Sequence, residues 1–305
     1  MMQTILVFGA VGDQGHALMR QLVAGGYRVR AATRRPAEFP AAAFPDVAPV
    51  AADFADQASL DAAADGCDGI VMHLPFTFDR DYARLMGDAI GTAGRRAGVA
   101  KIVFHTSCVV RDHDLGIAGH DGRRDIEAAL VASGVPHVFI RSAVFMDNMV
   151  RAWVKPAIVG RGVFAYPCKP DLAISWTSQE DIAAYMIAAF RDPALRADRF
   201  TVGGPEALTG AEVAVRLTRA IGRPIRFQSL DPDAFAGAMS LLVTGSADFQ
   251  PGSLYDRMAE FYRWYNAQPE SPLAIDLRPV LAVLPVRPTP LLVWAGQHDW
   301  SDSAA

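Results

Sequence analysis

A run of apolar and β-branched residues, Ile5-Leu6-Val7-Phe8, breaks at Gly9, and glycine returns at Gly12 and Gly15 before helical apolar periodicity resumes at Leu18. That pattern confines the start of the chain to a strand, a tight turn and a helix. Gly9 serves a backbone bend that a side chain would block, Gly12 lets the main chain approach a phosphate, and Gly15 lets the helix pack on the strand. The unpaired amides of the first helical turn then face an anion. The spacing is GxxGxxG rather than the GxGxxG of the dinucleotide fingerprint, and by itself it also fits an ordinary βα turn. Its place between a buried-type strand and a helix is what points to a nucleotide. Val11 and Gln14 join Gly9, Gly12 and Gly15 as candidate cofactor contacts, and Asp13 is expected to cap the helix.

Strand and helix then alternate. Residues 28–33 read as a second strand ending in Thr33-Arg34-Arg35, with no acid before Glu38. A carboxylate there would hold an unphosphorylated ribose, whereas guanidinium groups bind a 2′-phosphate, so the cofactor reads as NADP(H), held by Arg34 and Arg35. A third strand over 47–52 leads to Asp53-Phe54, where a carboxylate can accept from the adenine amine and a ring can stack on the base. A helix over 57–64 precedes the buried strand 69–74, whose carboxyl end carries Leu74, Pro75 and Phe76, where open α/β sheets place ligands. Its one polar residue, His73, reads as a satisfied core histidine. A helix over 79–97 and a strand over 101–106 bring Ser107, a candidate donor to a substrate carbonyl, and Cys108, which reads as a small hydrophobe. A polar loop over 109–119, a helix over 121–132 and a strand over 136–141 complete the pattern.

Such alternation implies an α/β fold, a Rossmann-type doubly wound parallel sheet with helices on both faces and right-handed crossovers. Beyond Ser142 the rhythm breaks, beginning at Phe145-Met146-Asp147-Asn148. A helix over 179–190, capped by Thr177 or Ser178 with Glu180 or Asp181 returning, and a strand over 199–203 rejoin the sheet. Helices over 210–221, capped by Thr209, and over 231–242 and 253–265 make a smaller, mainly helical C-terminal lobe. The expected organisation is therefore a dinucleotide-binding domain over 1–150, with 175–203 returning to it, and a substrate-binding lobe from 151–174 and 204–305. Tyr255, Phe261, Tyr262, Trp264 and Tyr265, with Phe235, Met239 and Leu241, can roof an apolar pocket, and core packing accounts for them equally well. The last dozen residues, polar after Trp300, are expected to fray.

A net charge of -4 argues against nucleic acid and leaves a small-molecule substrate as the expected partner. Three cysteines without a CxxC pair suggest neither a disulfide framework nor a zinc site, and a reducing cytoplasm suits them. No positively charged leader precedes the first strand, and the apolar stretch 280–294 is interrupted by Arg287 and three prolines, so no membrane association is expected. A homodimer is compatible with all of this.

Five segments together carry a resemblance: GAVGDQG from Gly9, VRAATRRP from Val29, ADFADQASL from Ala52, DGRRDIEAALVASGVPHVFIRSAVFMDN from Asp121, and GGPEALTGAEVAVRLTRAIGRPI from Gly203. Over nearly its whole length the chain resembles the NmrA-like family of atypical short-chain dehydrogenases/reductases. The resemblance implies a Rossmann domain binding NADP(H), a smaller lobe and a cleft between them. It also implies one of two roles: a reductase of the quinone, azo-dye, triphenylmethane or phenylpropanoid type, or a redox sensor that binds the dinucleotide without known turnover.

The chain departs from the superfamily's catalytic pattern, a tyrosine followed four residues later by lysine, because no tyrosine here has such a partner. Alignment through Glu127 puts Arg123 where relatives carry the lysine and Gly119 where the tyrosine would stand. Arg123 can hold ribose or phosphate but, being permanently charged, cannot trade a proton near neutral pH. His120, expected just before the helix, is the nearest possible donor, alone or paired with Arg124 at spacing four. The expected function is an NADP(H)-dependent reductase, with Leu74, Ser107 and Phe145 near the nicotinamide and His120, Arg123 and Ser107 as candidate catalytic residues. The acceptor is small, largely apolar, and aromatic or quinone-like. The alternative is a non-catalytic NADP(H)-binding sensor.

Overall fold

β1 (Thr4–Phe8) is buried at all five positions, as a run of Ile, Leu, Val and Phe must be when both faces of a parallel sheet are covered. The chain continues through α1 (Asp13–Ala24), β2 (Arg28–Thr33), β3 (Val47–Ala51), α2 (Gln57–Ala64), β4 (Gly69–His73), α3 (Arg80–Ala97), β5 (Lys101–His105), α4 (Ala118–Ala132) and β6 (His137–Ser142). Next come α5 (Lys155–Arg161), β7 (Val163–Tyr166), β8 (Ile174–Ser175), α6 (Gln179–Arg191), β9 (Ala197–Val202), β10 (Ala207–Leu208), α7 (Gly210–Ile221) and β11 (Arg226–Ser229). The helices α8 (Pro232–Thr244), α9 (Leu254–Ala267), α10 (Arg278–Leu281) and α11 (Leu291–Gly296) follow.

The computed structural model describes residues 2–301. It divides into two units, Met1–Ser142 with Gln179–Val202 and Arg278–Val286, and Ala143–Ser178 with Gly203–Leu277 and Arg287–Ala305. The first unit is a seven-stranded parallel sheet in the order β3-β2-β1-β4-β5-β6-β9. The order reverses beside β1, which puts the carboxyl ends of β1 and β4 at the switch point where such sheets hold ligands. One side of its core comprises Leu6, Ile70, Met72, Ile102, Phe104 and Phe139 packed against Met86, Ile90, Ile126 and Leu130. Lys101, a rare lysine, is buried where its Nζ donates to the carbonyls of Ala189 and Phe190 at 2.9 and 3.3 Å, closing the C-terminal end of α6. The second unit is mainly helical, with a parallel pair β7–β11 and an antiparallel pair β8–β10. Its α7 opens on a capping box between Thr209 and Glu212.

Three expectations need correction. α4 begins at Ala118, so His120 lies within its first turn instead of ahead of it. Of the alternatives for the start of α6, the one using Thr177 and Glu180 fails, because Arg20 and Gln21 both bond the Glu180 carboxylate and, among the described residues, the Thr177 hydroxyl has no hydrogen-bond partner; Ser178 and Asp181 are left as the expected pair. Within the stretch expected to fray, α11 is ordered and buries Trp294, since an indole beside Leu291 and Ala295 gains more from burial than a free end gains from motion. Residues 302–305 of that stretch lie outside the described residues.

Candidate functional site

At the turn after β1 the three glycines have three different reasons. Gly9 takes φ +74°, and a side chain there would collide with His73. A side chain at Gly15 would meet the carbonyls of Gly9 and Ala10, where α1 crosses the turn. Gly12 has neither constraint. Its φ of -92° suits any residue, and a methyl group there would meet only the Gly9 carbonyl, at 3.6 Å. Gly12 is the N-cap of α1 and offers no side chain to the first-turn amides, so the turn presents donors and the positive end of the helix dipole to open space. That is a cradle for a phosphate. Asp13, expected as the cap, is instead the first helical residue; Val11 is exposed beside it.

At the end of β2, Arg34 and Arg35 are both exposed but are not equivalent. Arg35 donates to both carboxylate oxygens of Glu38, at 3.2 and 2.9 Å, whereas no ion pair forms at Arg34 among the described residues. Arg34 is thus the guanidinium at liberty to meet a 2′-phosphate. Beyond β3, Asp53 accepts from the amide of Ala55 at 3.0 Å, and Phe54 stacks on Phe8 at 5.8 Å. Each is partly engaged in the local turn and core.

The carboxyl ends of β4 and β5 gather the remaining first-unit residues. Paired His73 and His105 stand side by side there, both buried. His73 donates from Nε2 to the Gly9 carbonyl at 2.9 Å. His105 donates from Nδ1 to Gln14 Oε1 at 3.0 Å, which leaves Nε2 to accept from the Ser142 hydroxyl at 2.9 Å. Ser107 donates to the same Gln14 oxygen at 3.3 Å, from a backbone at φ +61°. Left-handed backbone at a non-glycine costs about 1–2 kcal/mol, a strain that clusters at functional sites. Gln14 therefore ties the phosphate turn to the loop after β5. Sequence reasoning passed over His105 and Ser142; the available signal was a histidine ending an otherwise apolar strand.

Arg123 crosses from α4 to the end of β4. Its Nη2 donates to the Leu74 carbonyl at 2.8 Å, its guanidinium stacks 4.1 Å over Phe76, and it is 2% exposed. Burial lowers its pKa to about 10, which still leaves it charged near neutral pH. Pro75, beside it, is exposed. Burial raises the Cys108 thiol to about 12, so it remains protonated and inert.

His120 stands in a setting that the sequence reading did not foresee. It is 1% exposed, and burial first, then the charge of Arg111, lower its pKa to about 4. Near pH 7 it is a neutral core histidine with no imidazolium proton to give. Its expected partner Arg124 is paired with Asp114. The loop between β5 and α4 is instead fastened by acids. Asp121 accepts from the amides of Leu115 and Gly116 at 2.9 and 3.0 Å. Glu127 holds Arg141, which also donates to the carbonyl of Val110 at 3.0 Å and to Asp112 at 3.1 Å.

In the second unit, Phe145 pairs with Thr177 in an isolated bridge and precedes a short 3-10 turn over Met146–Val150. This unit holds a cleft of about 310 Å3, walled by Trp153, Leu230, Phe235, Met239 and Leu242, with Arg161 and Gln228 as polar groups. The roof expected from α9 does not form it. Tyr262 packs edge-on against Tyr166, Phe235 and Tyr265 within the core.

A parallel sheet with a glycine cradle at its switch point and a basic residue beyond β2 defines a dinucleotide-binding α/β protein. The chain belongs to the NmrA-like family, whose sequence profile matches residues 1–278. It is 31% identical over 235 residues to the (4-alkanoyl-5-oxo-2,5-dihydrofuran-3-yl)methyl phosphate reductase of Streptomyces griseus, covering 77% of this chain and 80% of that one. It is 30% identical over 259 residues to the NAD(P)H azoreductase of Xenophilus azovorans, covering 85% and 86%. The Escherichia coli NADPH-dependent quinone oxidoreductase, solved in complex with NADPH, shares the fold at 22% identity, with a TM-score of 0.77 over 96% of this chain and 99% of that one.

Proposed function

We propose that this chain is an NADPH-dependent reductase that reduces a small, largely apolar, quinone-like acceptor. The family relationship supports the oxidoreductase class and the cofactor. The observation that carries the reading onto these residues is Gly12, a glycine that neither its backbone angle nor its packing requires, at the unshielded N-terminus of α1. When bound, the nicotinamide supplies the hydride. Gly9, Val11, Gly12, Gln14 and Gly15 cradle the pyrophosphate, Arg34 meets the 2′-phosphate with Arg35 flanking it, and Asp53 and Phe54 border the adenine. Leu74, Pro75 and Phe76 line the nicotinamide side. Arg123 holds the ribose hydroxyls and Ser107 polarises the acceptor carbonyl. His120, neutral and buried, shapes the first turn of α4 and leaves the final proton to solvent. A conjugated acceptor needs less proton help than a simple ketone, which suits a site without the tyrosine.

The missing tyrosine–lysine pair favours a second reading, a sensor whose state depends on NADPH occupancy. Incubating the protein with NADPH and a panel of quinones, azo dyes and enones, while following nicotinamide absorbance, decides between them. Steady NADPH oxidation with at least one acceptor is the expected result. Tight NADPH binding with no oxidation across the panel would establish the sensor instead.

A further inference from the structure

Among the described residues, Arg123 is a cation in the core with no anion to answer it. Beyond the single bond to Leu74 and the Phe76 ring, its Nε and Nη1 have no hydrogen-bond partner among those residues. The titratable groups that face it are His73, His105 and Cys108, and burial keeps all three uncharged near neutral pH. Elsewhere this fold does neutralise a buried arginine: Arg141 has Glu127 and Asp112. An uncompensated buried charge is strongly destabilising, so its persistence at the carboxyl edge of the sheet calls for a ligand. Ribose hydroxyls would satisfy its donors but would leave its charge unanswered.

We infer that Arg123 makes the acceptor site selective by charge, favouring conjugated carbonyl compounds that carry an anionic group or develop an oxyanion, and rejecting cationic dyes. This rests on the reductase reading above. When a hydride adds to the conjugated carbon of a quinone or enone, an electron pair moves onto the carbonyl oxygen. The resulting oxyanion is stabilised by the guanidinium without any proton transfer and later takes a proton from water. A fixed positive charge thus takes over the electrostatic part of the absent tyrosine's task. The same charge repels an acceptor that arrives already positive, because two like charges in a dry site interact far more strongly than they do in water.

The test uses redox-inert naphthalene probes titrated calorimetrically into the full-length protein saturated with NADP+: 2-naphthalenesulfonate, 2-naphthalenemethanol and (2-naphthylmethyl)trimethylammonium. Wild type is expected to bind the sulfonate at least about tenfold tighter than the alcohol, and the ammonium weakest of the three. Arg123→Lys keeps the order, and Arg123→Met collapses the three affinities to within about threefold, the range left when one charge pair is removed. Arg123→Gln serves if the Met variant does not fold. Three equal affinities in wild type, no detectable sulfonate binding, or an order preserved in the Met or Gln variant would overturn the inference. Charge-selective binding without NADPH oxidation would remove the reductase reading while leaving charge selection in place. Oxidation of quinones without charge selection would do the reverse.

Discussion

His73 donates from its Nε2 to the carbonyl of Gly9 across 2.9 Å, and the same ring fills the space that a side chain at Gly9 would need. Gly9 is fixed by its neighbours inside the protein, and Gly12 only by what lies outside it. Gly9→Ala, with left-handed backbone and a clash with His73, should destabilise the fold by at least ~1–2 kcal/mol. Gly12→Ala should leave the thermal midpoint nearly unchanged and raise the Kd for NADPH at least about tenfold, the loss of roughly one charge-assisted hydrogen bond. Thermal melts and fluorescence titrations check both, and unchanged NADPH affinity in Gly12→Ala would remove the cradle.

Cofactor choice should rest on Arg34 more than on Arg35, because Glu38 already occupies Arg35. Arg34→Ala should weaken NADPH by roughly 10- to 100-fold, as expected for one or two lost charge-assisted bonds to phosphate, with little change for NADH. Arg35→Ala should have the smaller effect on NADPH. Equal losses for the two cofactors would mean that the arginines do not read the 2′-phosphate.

The Glu127–Arg141 pair, at 2.6 and 2.9 Å, is buried and holds the loop after β5 through Val110 and Asp112. Removing one member strands the other charge, so Arg141→Met should cost about 3–5 kcal/mol in urea unfolding. Replacing both with methionine should recover part of that loss. A double variant no more stable than the single would show that the loop contacts, and not the ion pair, carry the effect.

Acid should destabilise the protein through its buried histidines. Burial lowers His73 and His120 to about 4 and His105 well below its ordinary value, while in the unfolded chain each titrates near 6.5. Between pH 6.5 and about 4 the unfolded state binds the extra protons, so stability falls as pH falls, by about 1.4 kcal/mol for each pKa unit of each group. Melting temperatures across pH 7 to 4 check the slope, which should be shallower in His120→Gln. An unchanged slope in that variant would mean that His120 is not buried neutral.

The first six strands, the helices between them and the three-glycine turn were legible because they rest on local chemistry. A short apolar run rich in β-branched residues reads as a covered strand when a glycine bounds it and marks the turn. The same reasoning located Arg34, Leu74 and Ser107 at strand ends, since topology puts every parallel strand's carboxyl end on one edge, whereas Arg123 was found only through the family resemblance.

What the sequence could not supply is which of those groups are already answered. Arg34 and Arg35 are adjacent and chemically identical, yet only one is spent on Glu38. His120 and Arg123 are three residues apart on α4, yet burial makes one neutral and leaves the other charged without an anion. The pKa of a side chain and the worth of a charge depend on desolvation and on neighbours far along the chain. Sequence determined the scaffold and the place where a dinucleotide fits; only the tertiary structure decided which side chains at that place keep an unmet charge or hydrogen bond for a ligand.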